Sequence, residues 1–362
     1  MKSFLEVART VYADDPKFVM PLDIDVASRL SPRHPHFEHS EGTAFVAYDG
    51  GRPVGRIVAH VNHAHLTRHD DGVGFFGFID TVDDEQVASG LLDRAADWLR
   101  RRQLRVMRGP ITMNMAEEVG CLVEGFEFPP MLRMPHHRPH QARLIEGAGL
   151  QPVRTLNAWR YTTGEVPERA RRGHRLVSEM ANVRVRQVDT KRLRQDVEAM
   201  LDIYNDAWGE AWGFVPLTPK EARTMASELR FLIVPELSRL VYIDGEPAAF
   251  AYALPNVNEM LTGLDGKLLP LGFLKLAYRL KVRGPRTARL VGLGIRSKFR
   301  KDRRYMGLSA YLYVEMNEAG RRLHIPWGEL SYVDEANSAM NAGVKMMGAE
   351  LYKKSRVFER QL

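Results

Sequence analysis

Cysteine is nearly absent from this sequence, since Cys121 is the single one among 362 residues. That excludes an intramolecular disulfide and leads us to expect a reducing, cytoplasmic location. The chain also lacks C-x-x-C and H-E-x-x-H motifs, so we expect no metal site. The absence of a G-x-S-x-G turn argues against a hydrolase of the Ser/His/Asp type.

Long hydrophobic runs are missing as well. No stretch approaches the ~18 apolar residues of a transmembrane helix. The opening residues, 1–9, are charged and amphipathic, which is not typical of a signal peptide. We therefore expect neither a signal peptide nor a membrane span. A length of 362 residues exceeds the usual size of one domain, which favours two domains.

The charge balance is basic, with 52 Lys+Arg against 45 Asp+Glu and a formal net charge of +7. Such a surplus suits nucleic acid, an acidic membrane surface or a polyanionic cofactor. Several cations crowd into one short segment: Arg296, Lys298, Arg300, Lys301, Arg303 and Arg304. Because this cluster is local and does not form a long basic stripe, it favours a small phosphorylated ligand. No nucleic-acid partner is expected.

Two hairpins of the same plan indicate an internal repeat. Residues 44–60 and 239–254 each read as an apolar strand, an Asp-Gly turn and a second apolar strand. We therefore expect two tandem copies of one unit, a first domain at 1–165 and a second at 183–362, joined by a polar linker at 166–182. The second copy carries an apolar insertion at 259–285 that the first copy lacks.

The last part of the chain contains a pattern typical of a phosphate-binding loop. A short apolar strand ending at Ile295 is followed by the basic segment and then by Arg304-Tyr-Met-Gly307-Leu-Ser309, which opens an apolar helix. A glycine at such a strand-to-helix turn lets the backbone approach a ligand, and the N–H groups and dipole of the helix attract phosphate oxygens. A strand at 327–333, a helix beginning near Asn337 and a strand at 351–358 follow.

This order of elements resembles the GNAT acyl-CoA N-acyltransferases, whose phosphate loop reads Q/R-x-x-G-x-G/A. Ser309 stands where that family has Gly or Ala. The resemblance implies an α/β fold with two tandem GNAT-like domains, each a mixed, mostly antiparallel sheet flanked by helices. It implies acyl-CoA as the co-substrate, bound by Leu293, Gly294, Ile295, Arg303, Arg304, Gly307, Leu308, Ser309 and Asn337.

The first copy departs from this pattern at the corresponding turn. It reads Asp80-Thr-Val-Asp-Asp-Glu85, and these carboxylates would repel a diphosphate. We therefore expect the first domain to be a degenerate copy that acts as a scaffold or as a wall of the acceptor site.

The reaction that the resemblance implies is attack of a neutral amine on the acyl thioester, which needs a general base. Glu329 lies on an apolar strand, where a carboxylate is suited to this role, and we favour it over Asp334 and Glu335. Many GNAT enzymes carry a tyrosine acid on the final helix, but here Val344 occupies that position. Tyr305 or water is then the candidate acid for the leaving thiolate.

The acceptor site is expected to be apolar. The insertion contains a short apolar helix with basic residues at Lys275, Arg279, Lys281 and Arg283, which is typical of a membrane-interface segment or of a lid over an apolar channel. A core helix packed on the sheet is the alternative. An aromatic loop lies before a capping box at 218–221. The candidate acceptor and acyl pocket consists of Trp208, Trp212, Phe214, Phe273 and Tyr332.

Taken together, the tandem copies, the insertion and the strand with Glu329 resemble the bacterial ceramide synthase group. That resemblance implies transfer of a long acyl chain from acyl-CoA to a sphingoid amine, with a peripheral location on the inner membrane surface. Two alternatives stay open from the sequence. One is an aminoacyl-tRNA-dependent transferase, which also uses tandem GNAT units. The other is a non-catalytic regulatory protein that binds acyl-CoA.

Overall fold

The computed structural model describes residues 1–282 and 284–362, so Arg283 of the insertion lies outside the described residues. The α-helices are α1 (Lys2–Val11), α2 (Asp23–Arg29), α3 (His63–His69), α4 (Glu85–Arg100), α5 (His140–Gly147), α6 (Glu168–Ser178), α7 (Leu193–Ala207), α8 (Pro219–Leu229), α9 (Asn258–Leu261), α10 (Gly272–Val282), α11 (Ser297–Arg300), α12 (Leu308–Arg322) and α13 (Ser338–Met346). The strands are β1 (Ser40–Asp49), β2 (Arg52–Asn62), β3 (Val73–Thr81), β4 (Val106–Gly109), β5 (Cys121–Glu124), β6 (Gln151–Thr162), β7 (Val183–Arg186), β8 (Ser238–Ile243), β9 (Glu246–Pro255), β10 (Thr287–Ile295), β11 (Trp327–Asp334) and β12 (Glu350–Gln361).

The chain forms two compact units. The first comprises Met1–Asn157, Asn258–Gly284 and Lys353–Leu362, and the second comprises Ala158–Val257 and Pro285–Tyr352. The division falls within β6 and within β12, so each of these strands contributes residues to both units. The insertion segment and the end of the chain thus belong to the same unit as the N-terminal residues.

In the first unit the strands follow the order β1-β2-β3-β4-β12, and β5 also pairs with β12. The pairs β1–β2 and β2–β3 are antiparallel, and β3–β4 is parallel. Helix α4, which connects β3 to β4, packs on this sheet through buried Leu91, Leu92 and Leu99. Asp84 caps that helix by accepting hydrogen bonds from the Gln86 and Val87 N–H groups.

In the second unit the order is β6-β11-β10-β9-β8-β7. The pairs β8–β9 and β9–β10 are antiparallel, and β10–β11 is parallel. Helix α12 connects β10 to β11, as α4 connects β3 to β4 in the first unit. The same succession of antiparallel hairpin, third strand, helix and parallel strand therefore occurs twice. This confirms the expected α/β class with tandem copies, each a mixed, mostly antiparallel sheet flanked by helices.

Helices cover both faces of the second sheet. On β9, Ala249 and Ala251 pack with Leu308 and Leu312 of α12, while Phe250 between them packs with Ile203 of α7. Because successive side chains of a strand point to opposite faces, α7 and α12 lie on opposite faces of the sheet. Residues that pair across the strands can be assigned to the α7 face or the α12 face in the same way.

Residues 166–182, which the polar composition assigns to a linker, contain α6 in the structure. Exposed arginines dominate its sequence, but a stripe of inward residues packs on α12. His174 Nε2 lies 2.9 Å from Glu315 Oε1, and its ring stacks on Tyr311 with centroids 4.7 Å apart. Ala170 and Val177 are buried. The stripe repeats at helical spacing, which explains why this polar segment is an ordered part of the second unit.

The insertion forms α9 and α10 and is placed in the first unit. Arg279 of α10 donates to the carbonyl oxygens of Met260 and Thr262 at 2.7 and 2.6 Å. The apolar side chains of α10 are largely exposed, including Phe273, Leu274 and Tyr278, and so is Leu271 immediately before the helix. The structure therefore does not match the alternative of a core helix. Across residues 1–282 and 284–362, the helices lack the length and apolar character needed to cross a membrane.

Candidate active site

The start of α12 provides an electropositive corner in the second unit. Gly307 precedes the helix, and no side chain caps its first turn. The first N–H groups of a helix have no partner within the helix, and the helix dipole adds partial positive charge there. Leu308 and Ser309, two of the predicted cofactor residues, are the first residues of this helix. An anion such as a diphosphate is suited to this position.

The preceding loop adds cationic side chains. Arg303 is exposed, and Arg304 is 77% exposed while its Nη2 lies 2.7 Å from Asp302 Oδ2. The Arg304 guanidinium lowers the pKa of that carboxyl through their hydrogen bond. Nearby, Arg296 Nη1 donates to Glu246 Oε1 at 2.8 Å. The loop thus carries several cationic side chains beside the start of α12, and Arg296 and Arg304 each pair with a carboxylate.

Gly307 also serves helix packing, a role that the sequence did not indicate. A Cβ at this position would lie 2.8 Å from the Gly173 carbonyl oxygen and 3.0 Å from Val177 Cγ2. A Cβ on Gly173 would in turn lie 2.9 Å from Ala310 Cβ. Small residues therefore let α6 and α12 approach closely, so glycine at 307 has a structural reason independent of any ligand.

The sheet opens between β10 and β11. Their paired residues run from Thr287 and Trp327 to Leu290 and Leu330. Beyond Leu290, β10 continues to Ile295 alongside β9, with Val291 as an extra residue in that ladder. A bulge of this kind bends a strand and redirects its backbone. The pairing of the two parallel strands thus ends at Leu290 and Leu330, and the region between the strand ends beyond these residues is called the cleft below.

Gly292 and Gly294 lie along this cleft, but the space beside them on the α7 face is filled by aromatic rings. A Cβ on Gly292 would lie 2.9 Å from Phe250 and from Tyr252, and one on Gly294 would lie 2.6 Å from Trp208. The glycines therefore make room for the aromatic cluster of α7 and β9. Leu293 and Ile295 pack in the core beneath α12.

A buried polar cluster lies next to the last paired residues. Arg289 and Glu329 are register partners on β10 and β11, and both side chains are buried. Arg289 Nε lies 3.8 Å from Glu329 Oε1 and donates to Ser331 Oγ at 3.0 Å. Ser331 Oγ donates to Glu329 Oε1 at 2.5 Å, and the Tyr352 hydroxyl donates to Glu329 Oε2. This is the polar centre of the second sheet.

The cluster lies on the α7 face of the sheet. Arg289 pairs with Leu254 of β9, and the next residue of β9, Ala253, packs on the α12 side. Because neighbouring side chains of a strand point to opposite faces, Leu254 and its partner Arg289 point toward α7. Burial and the adjacent Glu329 carboxylate raise the pKa of Tyr352. The tyrosine therefore keeps its proton and acts as a donor. The arrangement provides a carboxylate whose position is fixed by two hydroxyl groups and one guanidinium, in an environment that excludes water.

Tyr305, the acid suggested by the sequence, is placed differently. Its side chain is buried in the core with Leu308, and its hydroxyl accepts a hydrogen bond from Asn182 Nδ2 at 3.0 Å. The hydroxyl in contact with Glu329 is that of Tyr352 instead. Asn337 is exposed and caps α13, where its side chain accepts from the Met340 N–H at 3.1 Å.

Of the predicted acceptor residues in the second unit, Trp208 and Phe214 both lie against Tyr204 of α7. Trp208 stacks on Phe250 with centroids 6.2 Å apart, and Phe214 is buried near Tyr204. Trp212, in the same loop, is half-buried. The Tyr332 ring lies 5.3 Å from the Arg289 guanidinium, which ties it to the polar cluster. Phe273 belongs to the first unit, on α10, and is 49% exposed.

Sequence reasoning missed Arg289, Ser331 and Tyr352. A usable signal existed for Arg289, because an arginine in an apolar strand needs a buried partner. Glu329 on the following strand was the available carboxylate. No comparable local signal marked Tyr352, since its contact with Glu329 depends on how β12 is placed beside β11.

The corresponding cleft of the first unit is closed. The Ile111 N–H donates to the Phe76 carbonyl oxygen at 2.7 Å, and His60 Nε2 lies 2.9 Å from the Ile111 carbonyl oxygen. The chain after β4 thus bonds directly to β3 where the second unit has its opening. The carboxylate of Asp84 already occupies the N–H groups at the start of α4. The scaffold role of the first unit stays a prediction.

Solved structures share this architecture. A tandem GNAT protein from the clavulanic acid biosynthesis pathway superposes with a TM-score of 0.59 at 12% identity, covering 99% of this chain and 94% of that one. A GCN5-related N-acetyltransferase from Sphaerobacter thermophilus gives a TM-score of 0.55 at 13% identity, covering 99% and 91%. The chain therefore has the tandem GNAT fold.

Sequence comparison identifies the family. No protein-family model matches the chain. The chain is 37% identical over 366 residues to Bacterial ceramide synthase of Caulobacter vibrioides (strain NA1000 / CB15N), covering 100% of this chain and 95% of that protein. It is 34% identical over 362 residues to Protein YghO of Escherichia coli (strain K12), covering 100% and 93%. The chain belongs to the bacterial ceramide synthase family, and fold and family together make it an acyltransferase of the GNAT type.

Proposed function

We propose that this protein transfers a long acyl chain from acyl-CoA to the amine of a sphingoid base, giving a (dihydro)ceramide. The observation that carries the proposal is the full-length match to the Caulobacter ceramide synthase, at 37% identity. The opening between β10 and β11 beside a basic loop supports it, because acyl-CoA combines a linear pantetheine arm with anionic phosphates.

The start of α12 and the loop before it are the proposed site for the phosphates. The N–H groups that follow Gly307 and the side chains of Arg303 and Arg304 provide donors and positive charge. The pantetheine arm would lie in the cleft, along the backbone of Leu293, Gly294 and Ile295. This places the thioester near Leu290 and Leu330, where the pairing of the two strands ends.

Glu329 is the proposed general base. Attack of the amine nitrogen on the thioester carbon forms the C–N bond and gives a tetrahedral intermediate. The C–S bond then breaks, the amine proton passes to the Glu329 carboxylate, and the coenzyme A thiolate leaves and takes a proton from water. Arg289 and Ser331 position the carboxylate, and Tyr352 donates to its other oxygen. The buried setting strengthens these electrostatic contacts.

The acceptor would be a lipid amine that the protein takes from a membrane surface. The protein would then act in the cytoplasm, on the inner face of the membrane. Helix α10 supports this part of the proposal, because Phe273, Leu274 and Tyr278 are exposed on it beside Lys275, and Leu271 is exposed immediately before it. Exposed apolar patches with cationic residues suit the interface of an anionic bilayer.

The test of the reaction is release of coenzyme A thiol from a donor series from acetyl-CoA to stearoyl-CoA, with sphinganine or a short polar amine as acceptor. Products are identified by mass spectrometry. We expect release with long donors and sphinganine, and a tenfold or greater loss in Glu329→Gln, in line with removal of a general base. Release from acetyl-CoA with the polar amine alone would contradict the lipid substrates, and absence of release from every pair would favour a non-catalytic acyl-CoA-binding protein.

Membrane association is tested separately by co-sedimentation with phosphatidylglycerol vesicles. The triple change Leu271→Ser, Phe273→Ser and Leu274→Ser should reduce the bound fraction several-fold. Phe231→Ser is the matched control, since Phe231 is an exposed aromatic residue outside α10. Equal binding of the triple variant and the wild type would remove α10 from the proposal.

A further inference from the structure

A cavity of about 70 Å³ lies in the second unit between α12 and the strands that it covers. Strands β9, β10 and β11 contribute Ala253, Ala288, Leu290 and Leu330, and α12 contributes Met316. Small residues on the strands create the space. Methionine side chains are flexible, so Met316 lets the walls adjust to an occupant.

Most of the lining is apolar, and the polar groups at the cavity are already bonded. The Tyr161 hydroxyl donates to Asn317 Oδ1 at 2.8 Å, and Thr163 Oγ1 donates to the Ile325 carbonyl oxygen at 2.6 Å. Glu329 also borders the cavity, while its carboxylate lies with the polar cluster on the α7 face and accepts from Ser331 and Tyr352. A cavity of this character stays dry and takes apolar ligands.

The position of the cavity connects it with the cleft. Leu290 and Leu330 are the last paired residues of β10 and β11, and both line the cavity on the α12 face. The cavity therefore begins where the two strands part. An acyl chain attached to a thioester at the end of this pairing would lie next to two residues of the cavity wall.

We propose that this cavity receives the acyl chain of the donor and contributes to its length preference. The proposal rests on the proposed function, because it assigns the acyl part of the same substrate. The volume of the cavity limits how much of the chain it can hold, since it is about half that of a ~150 Å³ apolar cavity that binds benzene. The cavity holds a short part of the chain, so changes of a few carbon atoms in its walls should alter the preference.

The experiment compares donors from acetyl-CoA to stearoyl-CoA, with sphinganine fixed, in Ala253→Leu and Ala288→Val. Each change adds carbon atoms inside the cavity. We expect kcat/KM for palmitoyl-CoA to fall about tenfold relative to acetyl-CoA, whose acyl group is too short to fill the cavity, because the added atoms take the room of about two chain carbons. Met316→Ala enlarges the cavity and should move the preference toward longer chains.

Ala251→Val is the matched control, since Ala251 is on the same face of β9 as Ala253, is also buried and is not among the residues that line the cavity. It reports the effect of overpacking this core without filling the cavity. Opposite shifts in the filled and enlarged variants support the proposal even where one of them is less stable. An unchanged donor profile in active variants would overturn it.

Binding measured by calorimetry without an amine separates this proposal from the proposed function. If the wild type binds palmitoyl-CoA but transfers no acyl group, the proposed reaction is wrong. The binding data still test whether the cavity receives the acyl chain. Ala253→Leu should then weaken palmitoyl-CoA binding about tenfold and leave acetyl-CoA binding unchanged. Equal weakening of both donors would overturn the acyl-chain assignment, because the cavity would not distinguish them.

Discussion

Arg289 and Glu329 face each other across two parallel strands of the second sheet, and both side chains are buried. Removing one member of a buried ion pair leaves an uncompensated charge and typically costs ~3–5 kcal/mol. We expect Arg289→Met to lower the free energy of unfolding by about this amount. The double change Arg289→Met with Glu329→Met should cost less than the sum of the two single changes.

Urea unfolding of the four proteins in this cycle measures the coupling. Arg194→Met is the control, because Arg194 is exposed and pairs with Glu198 on the surface of α7. Surface pairs contribute little, so this variant should unfold close to the wild type. An Arg289→Met variant with the urea midpoint of the wild type would mean that the buried pair does not stabilise the sheet.

Arg304 is expected to act on the affinity for acyl-CoA. Arg304→Glu replaces a proposed phosphate donor by a repelling carboxylate, so the KM for acyl-CoA should rise about tenfold or more, with a smaller change in kcat. The KM of the wild type should also rise with salt, since salt screens exposed charges. Arg194→Glu is well matched, because Arg194 and Arg304 are each 77% exposed and each pairs with a carboxylate. Equal KM changes in the two variants would argue for a general effect of net charge.

Much of the local structure could be predicted because it depends on neighbouring residues. The Asp-Gly turns form at 49–50 and 244–245, between the predicted strands. The capping box at 218–221 is confirmed, with the Thr218 side chain accepting from the Glu221 N–H. Turn and cap preferences operate within a few residues, so a sequence shows them directly.

Features that depend on contacts between distant segments were harder to predict from the sequence. The packing of α6 depends on its contact with Gly307 and Ala310, which lie far along the chain, and its arginines give it the composition of a linker. The exposure of α10 likewise depends on which segments cover it. For the site, Glu329 could be singled out from the sequence, but its partner Tyr352 is brought to it only by the order of strands.

The close approach of α6 and α12 makes Gly307 sensitive to substitution. In Gly307→Ala the new Cβ would lie 2.8 Å from the Gly173 carbonyl oxygen, so one helix must shift. We expect a loss of about 1–3 kcal/mol in the free energy of unfolding, typical of overpacking. Gly90→Ala in α4 is the control with the opposite sign. Nothing lies within 4 Å of a Cβ at 90, and alanine favours a helix by ~0.5–1 kcal/mol.

Thermal or urea unfolding distinguishes the two glycine variants. If Gly307→Ala were as stable as Gly90→Ala, the contact between the helices would be loose enough to accept a methyl group. The glycine would then have no packing role, and its presence at 307 would be explained by the proposed phosphate site alone.

Two buried histidines of the first unit predict how stability depends on pH. Burial lowers the pKa of His60 to about 3 and that of His137 to about 4. In the unfolded chain both return to an ordinary value of ~6.5. Below pH ~6.5 the unfolded state therefore binds protons that the folded state does not. The stabilising effect of the neutral rings is complete above pH ~6.5 and is lost as the pH falls toward 4 and then 3.

Each of these histidines should reduce the free energy of unfolding by ~1.4 kcal/mol per pH unit within that window. In His60→Gln the amide can still donate to the Ile111 carbonyl oxygen, which His60 Nε2 contacts at 2.9 Å, but the titration is removed. Urea unfolding at pH 7, 6 and 5 should therefore show a shallower loss of stability for this variant. His63→Gln should follow the wild type, because the His63 side chain is 58% exposed. Parallel curves for His60→Gln and the wild type would show that His60 is not buried as a neutral ring.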